Sequence, residues 1–191
     1  MHTSVRRIAI AALALPLLLA GCADDEPVPK VEPSTPAPSV TETVETNEPV
    51  EPTLPPEAEG KGRKAAEAFV RHYWATVDYA QGVSNTEALR SLATEECDAC
   101  RAGADVIDLI YRQGGTIVGG AHTVDDSEVT GRRGIPGEGA LYYANIRVSH
   151  TQQVIEGTEK LDGDYAAGSD DLRFVVIRDS KGWQVLRWYE A

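Results

Sequence analysis

Two cysteines three residues apart, in Cys97-Asp98-Ala99-Cys100, are the side chains best placed to do chemistry in this chain. At a helix N-terminus such thiols have lowered pKa values and can exchange disulfides. The pair can also close on itself as a structural bridge, because an i, i+3 spacing falls within the ~4.4–6.8 Å that the Cα atoms of a disulfide span. The structural bridge is the favoured reading, since no βαβ pattern surrounds the pair, as a redox role of that kind requires. Zinc is the third reading, but it needs a second pair of ligands, and the chain's histidines are His2, His72, His122 and His150. His72, Asp78, His122 and His150 are candidate acid–base groups. Seven aromatics are candidate pocket residues or, more simply, core: Tyr73, Trp74, Tyr79, Tyr142, Tyr143, Trp183 and Trp188. Of these, Tyr73, Tyr143 and Trp188 are taken as ligand contacts.

Other constellations fall short of a site. Asp162, Asp164, Asp170 and Asp171 crowd one stretch. An EF-hand frame begun at Asp162 puts Ala166, Ala167 and Arg173 where a ligand, a glycine and a glutamate belong. A solvated acidic loop is expected there. Gly131, Gly134, Gly137 and Gly139, with Arg132 and Arg133, fit neither a phosphate-binding loop nor a dinucleotide fingerprint, and read as a hairpin connection. There is no nucleophile elbow and no His-Glu-x-x-His. No catalytic residue, cofactor or metal is therefore assigned.

The third cysteine has a different setting. Arg6 and Arg7 precede Ile8–Leu19, an apolar run of 12 residues broken only by Pro16. A membrane-spanning helix needs about 20 residues, so the run suits a signal-peptide core instead. It ends in Leu19-Ala20-Gly21-Cys22, which resembles a bacterial lipobox. The resemblance implies cleavage before Cys22 and attachment of diacylglycerol to its thiol. Residues 1–21 are then a lipoprotein signal peptide, and the arginine pair fits the general secretory route. The expected location is the extracytoplasmic face of the cell membrane, where Cys97 and Cys100 meet an oxidising compartment.

Residues 22–60 read as the lipidated cysteine and a tether. Residues 23–60 hold nine of the 11 prolines and no aromatic, with ten acids against one base. Such a segment cannot bury enough apolar surface to order itself. Proline and like charge keep it extended, with a reach on the order of 100 Å. The chain's net charge of −12 thus belongs largely to the tether, and it disfavours nucleic acid as a partner. The membrane and wall or envelope components are the expected partners.

The elements that must position the candidates lie in 61–191, a single α+β domain. Phe69, Val70, Tyr73, Trp74, Val77 and Ala80 recur at helical spacing up to Gly82. Ser84 and Glu87 form a capping-box pattern ahead of Leu89 and Leu92. Thr94 is a plausible cap for a third helix burying Cys100, Ala104, Ile107, Ile110 and Tyr111 and ending at Gly114-Gly115. The period then becomes two. Strands are expected at 116–118, 122–129, 140–155, 172–178 and 183–189, the last two joined by an Asp179-Ser180-Lys181-Gly182 turn. Helices first and an antiparallel sheet afterwards give an α+β fold.

The stretch AEAFVRHYWATVDYAQGVSNTEALRSLATEECDAC, residues 66–100, resembles an uncharacterised family of actinobacterial lipoproteins. The resemblance spans roughly residues 60–190. It implies a location and no activity. The element order also resembles the nuclear-transport-factor-two-like cone, in which a curved sheet wraps helices around a pocket. Two functions follow. One is a non-catalytic, membrane-tethered binding or accessory module. The other is a cone-barrel hydrolase or isomerase with an Asp/His/Tyr site. They differ in whether the cone encloses a pocket with convergent titratable groups or is filled by aromatics.

Overall fold

A computed structural model describes residues 49–135 and 139–191. Cys22, the expected signal peptide and the tether up to residue 48 lie outside the described residues. The packed unit begins before Lys61. Residues expected to continue the tether form a one-turn helix, α1 (Pro56–Glu59). Ala58 is fully buried, and its carbonyl accepts the Trp183 indole N–H at 2.7 Å. Proline at the first helical position suits this turn, because an N–H there has no intrahelical acceptor. Proline-rich composition therefore overstated the length of the tether.

The main helix, α2 (Arg63–Val83), buries Ala66, Phe69, Val70, Tyr73 and Ala80 along one face, as the periodicity requires. It ends at Ser84 in the left-handed region, with φ 60°. That conformation takes Ser84 out of the expected capping box. The next helix, α3 (Glu87–Ser91), starts after Thr86, and Asn85 Oδ1 accepts the Glu87 N–H at 2.9 Å. The fourth helix, α4 (Asp98–Arg112), is capped by Cys97 rather than Thr94. Tyr111 is half-buried, and its hydroxyl donates to the Gln81 carbonyl of α2.

Seven strands follow: β1 (Thr116–Gly119), β2 (His122–Ile135), β3 (Gly139–His150), β4 (Gln153–Glu156), β5 (Gly163–Tyr165), β6 (Gly168–Arg178) and β7 (Trp183–Glu190). They form two antiparallel sheets, β1-β4-β5 and β2-β3-β6-β7. Three expectations change. The long strand at 140–155 is two strands in different sheets, with the break at Thr151-Gln152. The acidic loop contains β5. The glycine-rich stretch is mostly strand, with Ile135 paired to Gly139. Gly139 sits at φ 102°, and a Cβ there would lie 2.5 Å from the Arg178 carbonyl. Only glycine lets β3 approach β6 so closely.

The four-stranded sheet curves around α2. Tyr142, Ala144, Ile146 and Val148 point into the core, and Asn145, Arg147 and Ser149 point outward. Two bulges in β2, between Val124 and Asp126 and between Thr130 and Arg132, supply the bend. Arg71 of α2 donates to the Val124 carbonyl beside the first bulge, and Ser127 donates to Glu67 at 2.6 Å. A third irregularity shifts the β6–β7 register between Val175 and Val176, where Leu186 is the extra residue of β7 between Val185 and Arg187. It reverses the parity of β7. Val185 and Trp188, an odd number of residues apart, both face the helices, opposite Val176 and Phe174.

Candidate functional site

The inner surface is not completely filled. A cavity of about 310 Å³ lies between α2, α4, the small sheet and the end of β7. Tyr73, Trp74 and Trp188 line one side, Ala104, Ile107 and Ile110 of α4 another, and Ile117 and Ile155 of the small sheet a third. Its walls are overwhelmingly apolar. α4 supplies this wall because its apolar residues recur at three- and four-residue spacing, while Gly103 leaves room at the rim.

The aromatics are layered around it. Trp74 lies over Phe174 and beside Trp188, with ring centroids 6.2 and 6.4 Å away. Trp188 stacks on Phe174 at 6.0 Å. The Trp74 and Trp188 indole nitrogens are buried and make no hydrogen bond of ordinary geometry. Burial pushes the Tyr73 phenol up to about 12, the nearby Trp188 indole opposing this in part. Trp183 belongs elsewhere in the core, stacked on Phe69 and bonded to Ala58.

One charged pair sits on the cavity's edge. Asp78, on α2, accepts the His122 backbone N–H at 3.0 Å and faces His122 Nδ1 at 2.6 Å. The His122 ring lies 4.6 Å from Trp74, centroid to centroid, and 6.3 Å from His150. With Nδ1–H committed to the carboxylate, Nε2 is the nitrogen left to exchange a proton or bind a ligand. His122 and His150 are direct partners across the β2–β3 ladder. His150 Nε2 is 3.9 Å from the Asp170 carboxylate.

The expected site residues separate. Tyr73, only 3% exposed, and Trp188 line the cavity. Tyr143 does not. It projects from the opposite face of β3, because its neighbours Tyr142 and Ala144 take the inward positions. His72 is also apart from the cavity, against Pro52 and Pro55 on another side of α2, and burial holds its imidazole below the ordinary value. Asp78, His122 and His150 come together. The sequence offered each singly, but their pairing depends on β2 returning beside the last turns of α2.

Cys97 and Cys100 are joined by a disulfide with Cα atoms 5.2 Å apart. Cys97 is 1% exposed and Cys100 is 5% exposed. Thiol exchange needs an approachable sulfur, so this burial favours the structural role. Among the described residues no group of three His, Cys, Asp or Glu side chains is placed to hold a metal ion. No described helix is long and apolar enough to cross a membrane.

The described residues form an α+β fold in which helices pack on antiparallel sheets beside an apolar cavity edged by the Asp78–His122 pair. The chain belongs to a family of unknown function (DUF6318), whose profile matches residues 37–188. No curated protein matches it. Among solved structures it is similar to the intermembrane space region of the chloroplast protein ARC6, at 15% identity and a TM-score of 0.49, covering 69% of this chain and 97% of that one. It is also similar to an uncharacterised protein with a cystatin-like fold from Caulobacter vibrioides, at 12% identity and a TM-score of 0.44, covering 68% and 87% of the two chains.

Proposed function

We propose that the chain is an exported lipoprotein, held to the extracytoplasmic face of the cell membrane through Cys22, whose globular unit binds an apolar small molecule without transforming it. The binding half rests on one observation, the apolar cavity of about 310 Å³ left open beside Trp74 and Trp188. Ligand sites are commonly concave, mostly apolar and edged by a few polar groups. The anchoring half rests on Leu19-Ala20-Gly21-Cys22 and the acidic tether behind it. A diacylglyceryl group carries two chains, enough for stable attachment where one is marginal. The tether then presents the unit to envelope components.

Tryptophan fluorescence tests the binding half. An apolar probe such as n-octane is expected to perturb the emission of the full chain saturably. Gly103→Phe is expected to abolish that response while leaving the fold intact. A Cβ at Gly103 meets nothing within 4 Å, and the phenyl group would occupy the cavity rim. An unchanged response in Gly103→Phe refutes the assignment. For the anchor, a Cys22→Ala chain is expected to leave the membrane fraction.

The second reading is catalytic. It is favoured by the 2.6 Å contact of Asp78 with His122 at the cavity's edge, an arrangement suited to general acid–base work. Asp78 also holds the His122 backbone N–H, a contact that joins α2 to β2 whatever the chemistry, so binding is preferred. Turnover of an envelope metabolite, abolished by Asp78→Asn without loss of melting temperature, would reverse that preference.

A further inference from the structure

The apolar cavity has a polar neighbour. A second cavity of about 250 Å³ is lined by Gln81, Gly120, His122, His150, Gln153 and Tyr165. Gln81, His122 and Gln153 also line the apolar cavity. The two spaces therefore meet at these three side chains, one greasy and one able to hydrogen-bond. The β1–β2 connection makes this possible. Gly119 and Gly120 both have φ 76°, and a Cβ on Gly120 would fall 2.2 Å from Gln153 Nε2. Glycine there lets the Gln153 amide lie across the turn and donate to Gln81 Oε1 at 3.0 Å.

The hydrogen-bonding capacity left over is specific. Gln81 uses its oxygen as acceptor and keeps its NH₂ as donor. His122 gives Nδ1–H to Asp78, so Nε2 is the ring nitrogen left for a ligand, an acceptor wherever the ring carries no second proton. Tyr165 donates its hydroxyl to the Leu161 carbonyl at 3.0 Å, which leaves the oxygen lone pairs. Amide donors on Gln81 and Gln153 beside these acceptors suit a group that both donates and accepts. A hydroxyl does so. A carboxylate only accepts, and would also meet the Asp78 and Asp170 carboxylates beside the histidines. An ammonium only donates and would leave the Gln81 NH₂ opposed, and the Asp78 carboxylate that would attract it is already engaged by the backbone and ring nitrogens of His122.

We infer that the ligand is an uncharged amphiphile, an apolar body in the α4 cavity ending in a hydroxyl head between Gln81 and His122. The inference rests on the apolar-binding reading above and specifies its ligand class. The test compares 1-octanol, octanoate and octylammonium on the full chain at pH 8, with n-octane as the apolar control. 1-Octanol is expected to bind about tenfold tighter than either charged head, the equivalent of one or two net hydrogen bonds. Gln81→Met is expected to remove most of that lead, read within the variant as the affinity of 1-octanol relative to each charged head. Equal affinity for the three heads, preference for a charged head, or a 1-octanol lead indifferent to Gln81→Met overturns the inference while octane binding still supports the apolar cavity. Failure of octane and octanol alike overturns both.

Discussion

Asp78 is the residue on which the site's geometry depends. Its carboxylate accepts both the backbone and the ring N–H of His122, and so fixes the start of β2 against the last turns of α2. Asp78→Ala leaves the backbone donor without its partner. The side chain is 28% exposed, so the expected loss is toward the lower end of the usual range, about 1–2 kcal/mol. It is read as a lower denaturation midpoint at unchanged m-value. Tyr73 gives a pH-dependent prediction. Its folded-state pKa is raised from 10.0 to about 12, mainly by burial. The unfolded chain therefore releases this proton first. Stability owed to Tyr73 is intact below pH 10 and declines as pH rises toward 12. Melting temperatures measured across that window are expected to fall, and to fall less in Tyr73→Phe. Tyr73 was legible as an inward residue from its helical spacing. Tyr143 was legible as an outward one, since alternation groups it with Asn145, Arg147 and Ser149 against Tyr142, Ala144, Ile146 and Val148, and its choice as a ligand contact went against that pattern.

At the scale of elements, α4 is the wall that makes the cavity, and its first turn is pinned by the Cys97–Cys100 bridge. The closed loop is very short, so chain entropy gives the bridge only about 2 kcal/mol. A Cys97→Ser, Cys100→Ser chain is expected to remain folded and to lose about that much in denaturant unfolding. Helix α1 yields the complementary prediction. A chain started at Pro49 is expected to be more stable than one started at Lys61, since the shorter one leaves the buried Trp183 indole without Ala58 as acceptor. An unsatisfied buried donor costs about 1–3 kcal/mol, and the two midpoints measure it. α2, α4 and most strands were readable from periodicity, because each has one buried face. The pairing of β4 with β1 and the three-residue β5 were not. They hang on a two-residue break and on positive-φ glycines, which leave no periodic trace. Trp188 is a sharper case. Strict alternation from Trp183 puts it on the outer face, and the β7 irregularity returns it to the cavity. The Asp78–His122 pair joins residues 44 apart in sequence, and no local pattern announces such a contact.

At the scale of the whole molecule, the packed α+β unit leaves an apolar space beside Trp74 and Trp188. The chain's three tryptophans stand at informative places. Trp74 and Trp188 line the cavity, whereas Trp183 is stacked on Phe69 with its indole bonded to Ala58. An indole N–H signal responds strongly when an apolar molecule settles against its ring. The most direct measurement is therefore a titration of the ¹⁵N-labelled chain with 1-octanol, following its indole N–H resonances. Saturable shifts are expected for Trp74 and Trp188, with Trp183 unmoved. Stationary resonances, or equal movement of all three, would contradict the proposed binding site.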